Sequence, residues 1–421
     1  MALTDIPLSQ SLTGKAWLAQ FSAPADAAAA AKLLDAMLLL NDAEIADAIR
    51  NGIDSIANKR FGRRRAVALY AEREFDAATV YEVEEVADIA GRIRKRAVRY
   101  TGPVKPTRGK VRVGSEGAVA YLISQLVEKW PGVLKNHPGP NGIRAKTSPV
   151  GSIVVVTDLI GTGTRLDRML DKFWEVPSVR SWVSRKWIKF EVVAAAGTAS
   201  GIAKVGAHRL CPDVIVEHIV PTIDTWKDRS LGDQWRQLVS QYGPEKGRGG
   251  VDRGGFEDNA ALVALSSRIP NNTPAIIHQS DGAKWRALYH GSAPADLRPQ
   301  FRMLSAEEMV QSAAASIGIE LADDLSLDNK KMVIFLSSTS ALLRRRDVFA
   351  IAESVAMPVN QVRLTLQRAI QDGLLTSAGR LTDAGQEVLK ANGRRDRTKA
   401  TIATNTDPYY PQKLRIPRVR F

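Results

Sequence analysis

The residues with the clearest chemical potential follow a run of four apolar residues at 153–156, in the segment IVVVTDLIGTGT. Two glycines permit a tight turn that exposes main-chain N–H groups, two threonines add hydroxyl donors, and a helical pattern begins directly afterwards; these residues are Gly161, Thr162, Gly163 and Thr164. N–H groups at the start of a helix bind anions. The segment therefore predicts a phosphate site, and Asp158 could accept hydrogen bonds from the hydroxyls of an adjoining sugar. A tight turn without a ligand is the structural alternative.

The segment differs from two familiar phosphate loops. No Lys follows its second glycine, as the Walker loop requires, and the third glycine of the dinucleotide fingerprint is missing. It still predicts an anion site at the carboxyl end of a strand, which is where open α/β sheets bind ligands.

Apolar runs alternate with helical patterns over the first 300 residues. Ala- and Leu-rich residues 27–40 predict helix, and Asn41 with Glu44 gives the N-x-x-E pattern of a helix start. Gly-rich residues 247–255 predict a surface loop. Strands are predicted at 66–70, 153–156, 190–196 and 214–220, with helices at 116–130 and after Thr164. This alternation predicts an α/β fold with a parallel sheet and helices on its faces, preceded by N-terminal helices.

Composition limits the function classes. The 421 residues are 44% apolar and 25% charged, which is typical of a globular protein with more than one domain. The single cysteine, Cys211, excludes an internal disulfide framework and a Cys-based zinc site. No apolar run is long enough to cross a bilayer, and no signal peptide is visible. We expect a cytoplasmic protein without membrane contact.

The last hundred residues change character. Helical patterns at 331–343 and 347–356 precede a third helix after Pro358, and residues 374–376 and 380–382 can pair as a hairpin around Gly379 before a closing helix. Three helices followed by a two-stranded wing predict a winged helix-turn-helix. The predicted domains are an α/β domain with an N-terminal helical part at 1–304, a winged-helix domain at 305–393 and a basic tail at 394–421.

Positive charge is concentrated at this end. Residues 331–421 hold 16 Lys and Arg against 7 Asp and Glu, so they carry most of the net charge of +14. Such an asymmetry favours nucleic-acid binding, although a basic tail can also act only as a solvated segment and a winged helix can dock proteins. The candidate contacts are Arg344, Arg345, Arg346, Asn360, Gln361, Arg363 and Arg368 in the winged helix, and Arg394, Arg395, Arg397, Lys399, Lys413, Arg415, Arg418 and Arg420 in the tail.

Residues 157–164 resemble the phosphoribosyl-pyrophosphate motif of phosphoribosyltransferases, in which apolar residues precede two acids, two apolar residues and Thr/Ser-Gly-x-Thr. The resemblance is strongest to the divergent phosphoribosyltransferase-like domains of bacterial conflict-system effectors and covers roughly residues 15–290. It is carried by residues 17–21, 68–74 (ALYAERE), 114–116 (GSE), 157–164, 270–274 (PNNTP) and 285–289. With its appended winged helix, the chain resembles the effectors of certain retron antiphage systems.

The resemblance implies a sheet of phosphoribosyltransferase type and a ribose-phosphate substrate such as phosphoribosyl pyrophosphate, with Mg²⁺ assisting loss of pyrophosphate. It also implies a toxin held with a reverse transcriptase and its RNA-linked DNA. Thr157 stands at the motif's first acidic position, and Gly161 and Thr162 reverse its Thr-Gly order. The candidate ligand-binding residues are Thr157, Asp158, Gly161, Thr162, Gly163 and Thr164; the candidate catalytic residues are Asp158, Glu116 and Arg73, with Lys105, Arg108 and Lys110 as further cations for pyrophosphate.

Three hypotheses follow from these residues. The first is a phosphoribosyltransferase-like effector enzyme, and the second is a transcriptional regulator that senses a ribose phosphate and binds duplex DNA. The third is an inactive scaffold. Two local alternatives also stay open: Glu116 can interact with the dipole of its own helix, and Asn271, Asn272 and Thr273 can form a turn or contact a ligand.

Overall fold

A computed structural model describes residues 7–62, 64–75, 78–87, 91–101, 115–244, 252–282, 284–302, 305–338 and 340–395. The predicted tail residues Arg397, Lys399, Lys413, Arg415, Arg418 and Arg420, and the predicted cations Lys105, Arg108 and Lys110, lie outside these ranges. Each helix in the described part of the chain is too short or too polar to cross a membrane.

The strands of the described residues are β1 (Leu38–Leu40), β2 (Ala66–Ala71), β3 (Tyr81–Ala87), β4 (Ile93–Tyr100), β5 (Leu134–Asn136), β6 (Val150–Ile160), β7 (Lys189–Thr198), β8 (Asp213–Val220), β9 (Val263–Leu265), β10 (Ile319–Leu321) and β11 (Gly393–Arg395). Five of them form a parallel sheet in the order β5-β2-β6-β7-β8. The predicted α/β fold with a parallel sheet is confirmed.

The helices are α1 (Leu12–Leu18), α2 (Pro24–Asp35), α3 (Asp42–Arg60), α4 (Ser115–Lys129), α5 (Pro140–Ile143), α6 (Thr164–Trp174), α7 (Pro177–Ser184), α8 (Ala199–Gly206), α9 (Arg229–Gln241), α10 (Ala275–His278), α11 (Ala306–Ile317), α12 (Leu327–Leu336), α13 (Ser340–Arg345), α14 (Val348–Val355), α15 (Val359–Gln371) and α16 (Asp383–Asn392). The Asn41–Glu44 capping box at the start of α3 is present as predicted. The predicted helix at 27–40 is partly wrong, because α2 ends at Asp35 and residues 38–40 form β1, which pairs with β9.

Successive strand residues point to opposite faces of the sheet, and each face has its own core. On β2, Ala68 and Tyr70 pack with α6, α7 and α8, whereas Val67 and Leu69 pack with α3 and α4. The three inner strands β2, β6 and β7 are buried on both faces, as in other parallel sheets covered by helices. The result is a three-layer α/β/α arrangement.

A second core joins the beginning of this domain to its end. Trp17 of α1 and Phe21, which lies between α1 and α2, pack edge-on against Trp285, and the Trp17 indole N–H donates to the Ile276 carbonyl over 3.1 Å. Residues near 20 and near 285 therefore meet in one apolar cluster, which also includes α2 and α9. This cluster positions the loop at 266–274 near the carboxyl ends of the sheet strands.

The winged helix forms a further core from α11, α12, α14, α15 and α16. Its wing is short, with Leu375 bridging to Leu381. It packs against the edge strand β8: Ile219 contacts both cores, and the Thr225 hydroxyl donates to the Glu353 carboxylate over 2.9 Å. Strand β11 pairs antiparallel with β10 and closes the unit.

Candidate functional site

A cleft of about 430 Å³ opens at the carboxyl ends of β2 and β6. β2 and β6 are neighbours in the strand order. The next sheet strand after β2 is β5, on one side of this pair, and the next after β6 is β7, on the other side. This reversal is the topological switch point at which open α/β sheets bind ligands. The cleft is lined by Glu72, Asp158, the 161–164 turn, Arg165, Arg268 and the 270–272 loop, among others.

The turn at 161–164 is fixed by its neighbours. The Gly161 carbonyl accepts a 2.6 Å hydrogen bond from the Thr198 hydroxyl, and a side chain at Gly161 would collide with Asn272. Gly163, the N-cap of α6, takes a left-handed φ of 77° and has no side chain to cap the helix, while the Thr162 hydroxyl accepts a 3.4 Å hydrogen bond from the Thr164 N–H. Residues 161–164 line the cleft, so the start of α6 lies at the cleft together with the Thr162 and Thr164 hydroxyls. A helix start of this kind suits an anion.

Asp158 lies near the carboxyl end of β6, is only 7% exposed and lines the cleft. Its carboxylate pairs with the Arg268 guanidinium. The Thr157 hydroxyl beside it donates to the Glu72 carboxylate over 2.5 Å, and Arg165 pairs with the same Glu72 oxygen at 2.6 Å. Two buried carboxylates, from neighbouring strands, thus meet at the floor of the cleft.

Three of these residues had no individual sequence prediction. Glu72 belongs to the ALYAERE stretch, but no local pattern assigned it a role. Arg165 directly follows the predicted phosphate turn, so its position in α6 was the available signal. Arg268 could not be found from sequence, because its segment reaches Asp158 through the long-range packing around Trp285.

Residues after the glycine-rich segment also reach the site. The predicted surface loop at 247–255 is wrong for its described end, since Gly254 and Gly255 are buried and Gly255 lies against the Asn272 main chain. The Glu257 carboxylate accepts a 2.6 Å hydrogen bond from Thr164, whose hydroxyl oxygen also accepts from Lys204 at 2.6 Å. Burial opposes ionisation of Glu257, but the Thr164 and Thr162 hydroxyls and the Lys204 charge lower its pKa overall.

The predicted catalytic residues Arg73 and Glu116 lie beside the cleft lining. The Arg73 guanidinium stacks on the Phe75 ring, 4.1 Å from its centre, and over Tyr100 at 5.6 Å. Burial raises the pKa of Glu116, and the nearby charges of Arg73 and Arg165 partly offset this. Both residues are therefore close enough to act electrostatically on the groups in the cleft.

The 271–273 segment is both a turn and part of the cleft. Thr273 N–H bonds back to the Pro270 carbonyl, and the buried Thr273 hydroxyl donates to Val263 over 2.8 Å. Asn271 and Asn272 line the cleft opposite the phosphate turn. The two alternatives raised by the sequence are thus compatible in this fold.

The arrangement agrees with a family comparison. The sequence model of PRTase-CE matches residues 15–290, well over half of the chain. The chain belongs to the PRTase-CE family. A second family model, wHTH-PRTase associated, matches residues 339–416. The phosphoribosyltransferase-like domain and the C-terminal winged helix are therefore both confirmed. No curated protein matches the chain.

The predicted nucleic-acid contacts that follow the PRTase-CE domain differ from one another in exposure and in their partners. Arg344, Arg345 and Arg346 are exposed, and Arg363 is exposed with its guanidinium 5.9 Å from the Phe349 ring centre. Asn360 and Gln361 are half-buried at the start of α15, where this helix meets β8. Arg368 pairs with Asp328 at 3.0 Å, and the main chain of Arg394 and Arg395 belongs to β11. The exposed cations remain the predicted phosphate contacts.

Proposed function

We propose that the PRTase-CE domain binds a ribose 5-phosphate group, either alone or within phosphoribosyl pyrophosphate. The phosphate lies on the start of α6 at residues 161–164, and Asp158 accepts a hydrogen bond from a ribose hydroxyl. The observation that carries this proposal is the position of both groups in one cleft at the switch point of the sheet. The cleft is large enough for a sugar phosphate.

The charged groups of the cleft support this proposal because they hold partners that a ligand can replace. Arg268 pairs with Asp158, and the Glu257 carboxylate accepts a hydrogen bond from the Thr164 hydroxyl at the phosphate turn. Both Arg268 and Glu257 are more exposed than the groups that they contact. A phosphate can therefore replace Glu257 at the turn, and the hydroxyls of a ribose can replace Arg268 at Asp158.

If phosphoribosyl pyrophosphate is the ligand, the bond from ribose C1 to pyrophosphate breaks and a bond from C1 to an acceptor forms. The transition state has positive charge on the sugar ring and growing negative charge on pyrophosphate, so the placement of fixed charges dominates catalysis. Asp158 and Glu116 favour the positive ring, while Arg73 and Arg165 favour the leaving group.

Mg²⁺ is compatible with these residues as a partner of the ligand. The described residues contain no group of three or more His, Cys, Asp or Glu side chains that could hold a metal. Mg²⁺ is usually bound by one or two carboxylates together with substrate phosphates. Asp158 and Glu72 line the cleft and fit that role, and the ion would neutralise charge on pyrophosphate.

In the cell, we propose that the protein is a toxic effector of a retron-type antiphage system. The winged helix and basic tail hold it on nucleic acid, RNA-linked or duplex DNA, together with a reverse transcriptase. The support is the family membership, the appended winged helix and the concentration of positive charge at this end of the chain.

Binding of ribose 5-phosphate to the full chain, measured by isothermal titration calorimetry, tests the ligand proposal. Hydrogen bonds to a charged group contribute about 1.5–3 kcal/mol, so Asp158→Asn should weaken binding by about tenfold or more. Asp54→Asn is the control, because Asp54 pairs with Lys129 on α4, at 2.6 Å and away from the cleft. Equal affinities of wild type and Asp158→Asn would contradict the proposal.

One observation favours the regulator as a second candidate. Helices α14 and α15 pack on β8, and α15 holds the predicted DNA contacts from Asn360 to Arg368. The sheet that carries the cleft therefore directly contacts this helix. This packing gives coupling between the two sites a physical route. If the protein is a regulator, ribose 5-phosphate changes its affinity for duplex DNA, and DNA changes its affinity for ribose 5-phosphate by the same factor.

A further inference from the structure

Thr157 connects two carboxylates that come from different strands. Strands β2 and β6 pair in parallel with Ala71 beside Val156, and the Glu72 N–H donates to the Val156 carbonyl over 2.8 Å. This register places Glu72 directly beside Thr157. The Thr157 hydroxyl lies 2.5 Å from the Glu72 carboxylate and 3.4 Å from that of Asp158. The two acids therefore lie side by side, with one uncharged hydroxyl between them.

Both carboxylates are buried, at 4% exposure for Glu72 and 7% for Asp158, yet both line the cleft. Each is matched by an arginine whose side chain is far more exposed, 44% for Arg165 and 37% for Arg268. Burial of two acids is unfavourable unless cations or hydrogen-bond donors compensate them. The arginines supply this compensation from the open side of the cleft.

A sugar diol fits this pair of acids. Neighbouring ring hydroxyls are two donors a few ångström apart, and a carboxylate is a strong acceptor for a hydroxyl proton. The phosphate turn begins at Gly161, three residues after Asp158, so a ribose whose 5-phosphate lies on the turn reaches the floor of the cleft. One carboxylate alone would leave one hydroxyl of the diol without a charged acceptor.

We propose that Glu72 is a second ribose-binding residue, which accepts a hydrogen bond from one ring hydroxyl while Asp158 accepts from its neighbour. Thr157 is a positioning residue that holds the Glu72 carboxylate toward the cleft. This inference rests on the proposed ribose-phosphate function. Selectivity for a ribose with both hydroxyls then depends on Glu72, which follows β2, as well as on Asp158 of β6.

The test compares two probes, ribose 5-phosphate and inorganic phosphate, by calorimetry on the full chain. Glu72→Gln keeps the shape of the side chain and removes its charge, so it should weaken ribose 5-phosphate by about tenfold or more and leave phosphate within about twofold. Glu191→Gln is the matched control. Glu191 is also buried, accepts from the Ser152 hydroxyl and pairs with Lys189 at 2.7 Å, but it lies toward the opposite end of the sheet.

The outcomes separate the two proposals. If wild type binds no ribose 5-phosphate, the proposed function fails and this inference fails with it. If Asp158→Asn loses affinity while Glu72→Gln binds like Glu191→Gln, only the assignment of Glu72 is overturned, and its pair with Arg165 is purely structural. Loss of affinity in both cleft variants, with phosphate binding preserved, supports the assignment.

A second pair of variants keeps the inference testable if Glu72→Gln does not fold. Thr157→Val removes the hydroxyl that orients Glu72, whereas Thr157→Ser retains it. We expect Thr157→Val to bind ribose 5-phosphate several-fold more weakly than Thr157→Ser, with equal phosphate affinities. Equal ribose 5-phosphate affinities of the two variants would overturn the positioning role of Thr157 and the placement of Glu72 that depends on it.

Discussion

Three carboxylates at the cleft each have an internal partner, either an arginine or a hydroxyl. Asp158 pairs with Arg268, Glu72 pairs with Arg165, and Glu257 accepts from Thr164. Unpaired charges in a partly buried site are costly, so these contacts stabilise the protein without a ligand. They also define what a ligand must offer: a phosphate at the turn and hydroxyl donors at the two acids.

The close approach of Gly161 to Asn272 gives a prediction at this scale. A methyl group at residue 161 would lie 2.2 Å from the Asn272 side chain. Gly161→Ala should therefore lower the free energy of unfolding by about 1–3 kcal/mol, the usual effect of overpacking, as measured by urea denaturation.

Gly206→Ala is the control for that measurement, because a methyl group there meets nothing within 4 Å. The double variant Gly161→Ala, Asn272→Ala should recover part of the lost stability. If Gly161→Ala unfolds at the same urea concentration as wild type, the contact between the turn and the 270–274 loop is not close in solution.

At the scale of elements, apolar runs identified the main strands and missed the smaller ones. β2, β6 and β7 are almost entirely buried and contain continuous apolar runs, whereas β8 is only partly buried and contains shorter ones. The antiparallel β3–β4 pair has no such run: its register sets Glu84 opposite Arg96 and Glu85 opposite Lys95, and Arg99 pairs with Glu82 at 2.8 Å. Residues 38–40 have a helical composition, but pairing with β9 makes them a strand.

The contact between β8 and the winged helix predicts a pH effect. Burial raises the pKa of Glu217, on β8, to about 7, and nearby Arg363 of α15 acts in the opposite direction. Since the folded pKa exceeds the unfolded value of 4.5, Glu217 contributes stability below pH 4.5, and this contribution is lost as the pH rises through 7. Glu217→Gln should therefore melt at a higher temperature than wild type at pH 8, with a smaller difference at pH 5.

Differential scanning calorimetry at the two pH values measures this effect. Glu387→Gln, which removes an exposed carboxylate on α16, controls for the loss of one negative charge. A Glu217→Gln protein that is less stable than wild type at pH 8 would show that attraction to Arg363 outweighs the burial of Glu217.

At the scale of the whole molecule, the basic end and the cleft lie on units that pack together. The PRTase-CE match covers residues 15–290 and the winged-helix match covers 339–416, while α11 and α12 complete the core of the second unit. The half-buried start of α15 at β8 limits access to Asn360 and Gln361. Among the predicted nucleic-acid contacts in the described part of the chain, the exposed Arg344, Arg345, Arg346 and Arg363 are therefore more accessible than these two residues.

Truncation after Arg395 tests the tail. It removes six Lys and Arg residues and keeps β11 paired with β10. Each phosphate contact contributes about 0.9 to the slope of log affinity against log salt, so the slope on duplex DNA should become shallower by up to about 5. Fluorescence anisotropy at several salt concentrations measures it, and an unchanged slope would contradict a role of the tail in binding phosphates.

Local sequence determined the positions of the main strands, the helix start at Asn41, the glycine turn at 161–163 and the helices of the winged-helix unit, because each depends on residues close together in the chain. Tertiary structure alone decided which groups meet Asp158 and the phosphate turn. Glu72 arrives through the register of β2 with β6, and Arg268 and Glu257 arrive through the core around Trp285. These contacts join residues about a hundred positions apart, so no local pattern could have specified them.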